Sequence, residues 1–214
     1  NSHTTLLLFS SKGKVYWLKT YEIPEASRAA RGRPLANLLP LDTDEYITTM
    51  LPVEEYTEGH FIFMATAKGT VKKTPLESFS RQRSVGLIAL ELDEGDVLIS
   101  AAITDGEREV MLFSDGGKVT RFKESDVRAM GRTARGVRGM RLPEGQKLIS
   151  MLIPEEGSEI LTASARGYGK RTAISEFPEY KRGGQGVIAM VSNERNGRLV
   201  GAVQVQDGEE IMLI

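Results

Sequence analysis

The chain has 214 residues, and its 40% apolar and 27% charged content is typical of a globular protein rather than a disordered or fibrous one. It contains no cysteine, which excludes disulfides, thiolate catalysis and cysteine-ligated zinc or iron–sulfur sites. The 28 Lys and Arg residues nearly balance the 29 Asp and Glu residues, and a net charge of -1 would ordinarily argue against nucleic acid as a partner.

Four segments share one pattern, in which an apolar run, a small polar turn containing glycine and an alternating run follow one another. They are LLLFSSKGKVYWLK (6–19), FIFMATAKGTVKKT (61–74), VMLFSDGGKVTRFK (110–123) and ILTASARGYGKRTA (160–173). This is the pattern of a β-hairpin. The turn glycines, Gly13, Gly69, Gly117 and Gly167, are 56, 48 and 50 residues apart, so the sequence predicts a repeat of about fifty residues.

Two further elements recur in each repeat. A second glycine precedes a strand-like segment (Gly32, Gly86, Gly136 and Gly186), and a longer apolar segment closes the repeat (45–53, 96–103, 147–154 and 198–205). The repeated glycines are expected at turns that need positive φ. Four short strands per repeat predict an all-β, propeller-like array of four-stranded blades. The approximate blades are 1–57, 58–106, 107–156 and 157–208, with a further blade starting at 209–214.

Charge is sorted by position within the repeat. The segments 6–36, 68–90, 116–141 and 166–190 hold 24 of the 28 basic residues but only 7 of the 29 acidic ones. Equivalent positions of repeated blades should present equivalent surfaces, so these segments predict one basic band suited to a phosphate backbone. The alternative, four solvated hairpins whose charges pair locally, does not account for the fourfold sorting.

The basic side chains of these segments are the candidate DNA contacts. Glycine beside Arg and Lys lets the backbone approach phosphates closely while the neighbours supply charge. No element suited to base readout is apparent, so contact is expected to be sequence-independent, and a curved band would favour bent or wrapped duplex. The candidates are Lys12, Lys14, Arg31, Arg33, Lys68, Lys72, Lys73, Arg81, Arg83, Lys118, Arg121, Lys123, Arg128, Arg132, Arg135, Arg138, Arg166, Lys170, Arg171, Lys181 and Arg182. Lys73, Arg121 and Arg171, each four residues after its turn glycine, are expected at equivalent outward positions.

No reaction is predicted from this chain. His3 and His60 are isolated, and the segment ARGYGKRT (165–172) lacks the glycine spacing of a phosphate-binding loop. No catalytic residue, metal site or cofactor is therefore expected in this segment, and no apolar run is long enough to predict a membrane partner.

These motifs resemble the C-terminal domain of the bacterial DNA gyrase A subunit. FMATAKGTVKKT, VMLFSDGGKVTRFKESDVRAMG, GYGKRTAISEFP and ERNGRLVGAVQV carry the resemblance, which covers essentially the whole chain. It implies a β-pinwheel whose hairpins exchange strands, and a role in binding and wrapping DNA. It also implies a cytoplasmic, nucleoid-associated A2B2 holoenzyme, an ATP-dependent type II topoisomerase, with the gyrase A N-terminal core and gyrase B as partners. ATP and Mg²⁺ would act elsewhere in that holoenzyme to drive negative supercoiling.

One departure from the family concerns its glycine-rich box, which reads QRRGGKG. The nearest relative here is YKRGGQG (180–186), a box-like remnant that includes Gly183, Gly184, Gln185 and Gly186. The chain is therefore expected to comprise interior blades of a larger domain. Two alternatives remain at this point: the equivalent domain of topoisomerase IV, and a propeller-like scaffold for a protein partner.

Overall fold

The computed structural model describes residues 3–23 and 37–212, and strands dominate this part of the chain. The strands are β1 (Thr5–Ser10), β2 (Lys14–Lys19), β3 (Ile47–Val53), β4 (Phe61–Thr66), β5 (Thr70–Pro75), β6 (Leu87–Ile88), β7 (Leu98–Thr104), β8 (Glu109–Ser114), β9 (Lys118–Lys123), β10 (Val137–Arg138), β11 (Leu148–Leu152), β12 (Glu159–Ser164), β13 (Gly169–Ala173), β14 (Val187–Ile188) and β15 (Leu199–Val205). Short 3₁₀ turns lie at Thr20–Glu22, Leu76–Phe79, Glu124–Asp126 and Ile174–Glu176, each directly after a hairpin. No helix in the described ranges is long and apolar enough to span a bilayer.

The four predicted hairpins are confirmed as β1–β2, β4–β5, β8–β9 and β12–β13. In three of them the turn glycine donates its N–H to the carbonyl of the serine three residues earlier, at 3.0 Å in each case. These glycines have φ of +77°, +83° and +84°, which places them in the left-handed region that side chains rarely adopt. A turn of this kind, with glycine in its last position, is a common hairpin connection.

The fourth strand of three sheets comes from the following repeat. The sheet orders are β3-β1-β2-β6, β7-β4-β5-β10 and β11-β8-β9-β14, and among the described residues the last sheet has three strands, β15-β12-β13. The exchanged strands β6, β10 and β14 are only two residues long, yet they occur at the same place in each repeat. This architecture confirms the predicted all-β β-pinwheel with repeats of about fifty residues.

The turn glycines are the docking points for the exchanged strands. The carbonyl of Gly117 accepts N–H bonds from Ala189 and Met190 at 2.8 and 3.1 Å. Gly13 and Gly69 each accept the same pair of bonds from the next repeat. A Cβ atom at Gly117 would lie 2.0 Å from the carbonyl oxygen of Met190, so only glycine fits there. The sequence pattern predicts the turns correctly, but it does not predict this second constraint on the glycines.

The chain divides into two compact units, each with its own core. The first comprises residues 1–66, 72–105 and 129–136, and the second comprises 67–71, 106–128 and 137–214. Phe9 and Phe79 meet edge to face in the first core, and Phe113 and Phe177 do so in the second, with ring centroids 6.0 and 6.4 Å apart. In both cases the second phenylalanine belongs to the 3₁₀ segment of the next repeat or directly follows it, so packing joins consecutive repeats.

Candidate nucleic-acid interface

A basic cleft of about 240 Å³ lies in the first unit, beside the segment that leads into β6. It is lined by three arginines, two serines, one glutamate and one leucine, which are Arg81, Arg83, Arg132, Ser78, Ser80, Glu77 and Leu87. Arg81 and Arg83 are exposed and Arg132 is half-buried. A concave surface lined by three arginines and two serines suits a phosphate group, since Arg can donate two parallel hydrogen bonds to phosphate oxygens.

Lys72 fixes the backbone behind this cleft. Its side chain is fully buried, and its ammonium donates hydrogen bonds to the carbonyl oxygens of Ala89 and Arg132 at 2.7 and 2.6 Å. Burial lowers the pKa of Lys72 from 10.5 to about 8, and the nearby charge of Arg132 adds to this. The phosphate contact predicted at Lys72 is therefore wrong, because the ammonium cannot reach the surface; the residue instead holds Arg132 in place.

The fourth position after each turn glycine is not uniformly outward, contrary to the expectation from the sequence. Lys73 is 6% exposed, and its ammonium lies 4.8 Å from the centroid of the Phe61 ring. Arg121 has a side chain only 18% exposed. Arg171 alone among the three is well exposed, at 41% of its side chain.

Arg121 is a clamp between consecutive repeats. It pairs with Glu109 through Nε, and Nη1 donates to the carbonyls of Ile174 and Phe177 at 3.2 and 2.8 Å. The hydrogen bond from Arg121 lowers the pKa of the Glu109 carboxyl. In the first repeat Trp17 occupies the equivalent position, and its indole N–H donates to the carbonyl of Phe79 at 2.9 Å. A tryptophan four residues after a turn glycine is the sequence signal that could have indicated that this position packs against the next repeat.

Several exposed candidates are paired with carboxylates. Lys12 lies 2.7 Å from Asp44 and 3.2 Å from Asp42, and hydrogen bonds to these groups raise its pKa. Similar pairs at the surface are Arg135 with Glu91 and Asp93, Arg171 with Glu159 and Asp207, and Lys123 with Glu179. Exposed pairs of this kind are weak and are screened by salt, so a phosphate could compete with the carboxylates for these cations.

A second set of the predicted contact residues is exposed and makes no side-chain hydrogen bond or ion pair with residues 3–23 or 37–212. It consists of Arg81, Arg83, Arg128, Arg138, Arg166, Lys170 and Lys181. Lys68 is also exposed, whereas Lys14, Lys118 and Arg132 are half-buried. Most of the unpaired set lies in the segments that lead into the exchanged strands or within those strands. Arg31 and Arg33, with the adjacent Gly32, lie outside the described residues.

The glycines of the box-like remnant have distinct roles. The N–H of Gly183 donates to the carbonyl of Gly139 at 2.8 Å, and a Cβ at Gly186 would lie 2.5 Å from the carbonyl oxygen of Val119. Both glycines therefore serve contacts within the protein. Gly184 and Gln185 are exposed, and Gly184 has open space where a side chain would be. Arg182 is half-buried and donates to the carbonyls of Asp126 and Arg138, both at 3.1 Å, so it anchors the segment of the preceding repeat.

Comparison with known proteins agrees with this architecture. The family model described as DNA gyrase C-terminal domain, beta-propeller, matches residues 4–54, 60–105, 108–155 and 158–206. The chain belongs to this family. Its relatives include the DNA gyrase A subunit of Pseudomonas aeruginosa, 63% identical over 257 residues, and that of Escherichia coli K12, 56% identical over 214 residues. The match covers all of this chain, which spans 28% and 24% of the length of these relatives.

Two solved structures share the fold of this gyrase family member. The C-terminal domain of DNA topoisomerase IV superposes with a TM-score of 0.88 at 31% identity, covering 97% of this chain and 65% of the other. The DNA gyrase A C-terminal domain superposes with a TM-score of 0.82 at 30% identity, covering 97% and 67%. The resemblance identified from the sequence motifs is confirmed by the family match, whereas the boundaries assigned to individual blades stay predictions.

Proposed function

We propose that this chain binds duplex DNA through its phosphates, with little sequence preference, and bends the duplex. The observation that carries this proposal is the cleft formed by Arg81, Arg83 and Arg132 with two serine hydroxyls. Guanidinium and hydroxyl groups are the donors that proteins direct at the phosphate backbone. The cleft holds one carboxylate, Glu77, so its side chains carry a net charge of about +2, which favours an anion.

The exposed cations of the second unit extend this argument beyond one cleft. Arg138 and Lys181 stand near the exchanged strands β10 and β14, and both are exposed without a side-chain partner among the described residues. Contacts of this kind gain free energy by releasing counterions from the DNA, which is independent of sequence. The net charge of -1 does not oppose binding, because most of the acidic residues belong to other segments.

Within gyrase, the role that follows is to wrap DNA for ATP-dependent negative supercoiling by the holoenzyme. This chain would act with the N-terminal core of the gyrase A protein and with gyrase B in an A2B2 assembly in the bacterial cytoplasm. Catalytic residues, ATP and Mg²⁺ would belong to other parts of that assembly. The family match and the gyrase A relatives support this proposal.

The test is duplex binding by fluorescence anisotropy across a series of salt concentrations, with two duplexes of unrelated sequence. The variant Arg81→Gln/Arg83→Gln should lose affinity for both duplexes equally. Its plot of log affinity against log salt should become shallower by about 0.9 for each phosphate that the variant no longer neutralises.

A matched control is Lys147→Gln/Arg198→Gln, which removes two exposed cations outside the basic segments. It should bind both duplexes as the parent chain does. If the affinity of the parent chain for duplex does not change with salt concentration, the proposal is contradicted. That result would favour an apolar interface for a protein partner. A loss confined to one duplex would contradict the phosphate-based mode.

A further inference from the structure

Two isoleucine side chains stand exposed at the same position of two exchanged strands. Ile88 in β6 is 52% exposed and Ile188 in β14 is 66% exposed. A single exposed apolar residue needs no explanation, because much of any protein surface is apolar. Here the same residue type recurs at the second position of a two-residue edge strand, in each of the two compact units. Edge strands usually carry charge or proline at such positions, so a recurring isoleucine suggests a function.

Each isoleucine is directly opposite a lysine and follows a segment with exposed basic residues. Ile88 is directly opposite Lys14 in the sheet, and Ile188 is directly opposite Lys118. Directly opposed residues of an antiparallel pair project from the same face of the sheet. The segment before Ile88 carries the exposed Arg81 and Arg83, and the segment before Ile188 carries the exposed Lys181. This charge makes a polyanion a far better partner than an apolar protein surface.

The third exchanged strand differs in an informative way. In β10 the equivalent residue is the exposed Arg138, which is directly opposite Thr70. At each of the three exchanged strands, the second residue and the hairpin residue opposite it therefore include one cation. This cation lies on the hairpin in two cases and on the exchanged strand in the third. Two of these pairs add an aliphatic side chain to that cation.

The backbone that carries each isoleucine is held in place. The two residues after Ile88 donate to the carbonyl of Gly13 at 2.8 and 3.1 Å, and those after Ile188 donate to Gly117 at the same distances. Ala89 and Leu90 are buried, as are Ala189 and Met190. An exposed side chain on such a fixed backbone can insert into a ligand with little loss of conformational entropy.

We propose that Ile88 and Ile188 are apolar wedges that enter the minor groove of bound duplex DNA and bend it. This rests on the proposed function, and it assigns part of the bending to these two side chains. The minor groove is about 6 Å wide and is bordered by both phosphate strands, so a cation beside an inserted aliphatic group meets a phosphate. Aliphatic side chains inserted there partly unstack a base step and kink the duplex toward the major groove.

The test compares Ile88→Ser/Ile188→Ser with the parent 214-residue chain. A duplex with 2-aminopurine at scattered positions reports unstacking, and a duplex with a dye at each end reports bending by energy transfer. We expect the variant to lose most of the 2-aminopurine signal and most of the bend. Its affinity should fall about tenfold at every salt concentration with the salt slope unchanged, because apolar burial rather than ion release is lost.

The matched control is Val200→Ser/Val203→Ser, which removes two aliphatic side chains of similar exposure, 47% and 44%, from β15. It should behave as the parent does, and all variants should keep the parent melting temperature. The variant Ile88→Lys/Ile188→Lys separates a wedge from mere charge. Duplex bound by this lysine variant should also show neither unstacking nor a bend. Tighter binding with the bend retained would overturn the proposal that the isoleucines act as wedges.

Failure of this inference and failure of the proposed function give different results. If the parent binds duplex in a salt-dependent manner but the serine variant unstacks and bends it equally, the wedge is wrong and phosphate binding stands. If the parent does not bind duplex at all, both are wrong.

Discussion

The turn glycines Gly117 and Gly167 occupy equivalent turns but have different surroundings. Both have φ near +83°, so an alanine at either site should cost about 1 kcal/mol of backbone strain. At Gly117 the new Cβ would also collide with the carbonyl oxygen of Met190, whereas at Gly167 it meets nothing within 4 Å. The comparison therefore isolates the energy of docking an exchanged strand on a turn.

We expect Gly117→Ala to lower the free energy of unfolding by about 2 kcal/mol more than Gly167→Ala, because two hydrogen bonds to the Gly117 carbonyl would also be displaced. Denaturation in urea measures both values. Equal losses at the two sites would show that the exchanged strand contributes little at its docking point.

Lys72 makes stability depend on pH in an unusual window. Its folded pKa of about 8 lies below the unfolded value of 10.5, so between these values the unfolded chain binds more protons. The free energy of unfolding should therefore rise with pH, by about 2 kcal/mol between pH 8 and 10. Burial raises the pKa of Tyr16, and a hydrogen bond to Glu45 raises it further. Tyr16 therefore lowers the free energy of unfolding as pH rises, but this opposite effect begins only above pH 10.

Lys72→Met should abolish this rise while lowering stability overall, since the carbonyls of Ala89 and Arg132 lose their donor. The measurement is urea denaturation at a series of pH values from 7 to 10. If the free energy of unfolding of the variant rises with pH as steeply as that of the parent, the rise belongs to another titrating group.

The 3₁₀ turn after a hairpin is fixed by the hairpin of the preceding repeat. Arg121→Met would remove the side-chain donor from the Phe177 carbonyl and the Glu109 carboxylate, and one of the two hydrogen bonds that the Ile174 carbonyl accepts, so we expect a loss of about 2–3 kcal/mol. Arg171→Met, one repeat further on, removes exposed ion pairs with Glu159 and Asp207 that solvent and salt screen, so it should cost much less than Arg121→Met. Chemical denaturation distinguishes the two, and similar losses would show that Arg121 is no clamp.

The hairpins were predictable because their signals are local, whereas the exchange of strands between repeats was implied by the resemblance to the gyrase family and not by a local signal. Glycine at a fixed offset and alternating apolar residues specify a hairpin without reference to distant residues. The environment of Arg121 was not predictable in this way, because what covers it lies more than fifty residues later, at Ile174 and Phe177. Charge type alone cannot distinguish Lys72, which is buried against carbonyls, from Lys170, which is exposed.

The sorting of charge along the chain should govern how the protein behaves on charged surfaces. Its basic segments hold most of the Lys and Arg, and the remaining residues hold most of the Asp and Glu. We expect the chain to bind both heparin and an anion-exchange resin at pH 7 despite its net charge of -1. The variant Arg81→Gln/Arg83→Gln should elute from a heparin column at a lower salt concentration than Lys147→Gln/Arg198→Gln. Passage of the parent through heparin without retention would show that local pairing neutralises the basic segments.

Strand exchange also has a consequence for the nascent chain. The hairpin that contains Lys14 gains its edge partner only when Ile88 has left the ribosome, and the one that contains Lys118 waits for Ile188. At a synthesis rate of about 5–20 residues per second this delay lasts on the order of several seconds. During that time an unpaired strand edge is open to pairing with a neighbouring polypeptide. Ribosome-bound intermediates that end just before an exchanged strand should therefore recruit holdase chaperones more than those that end just after it.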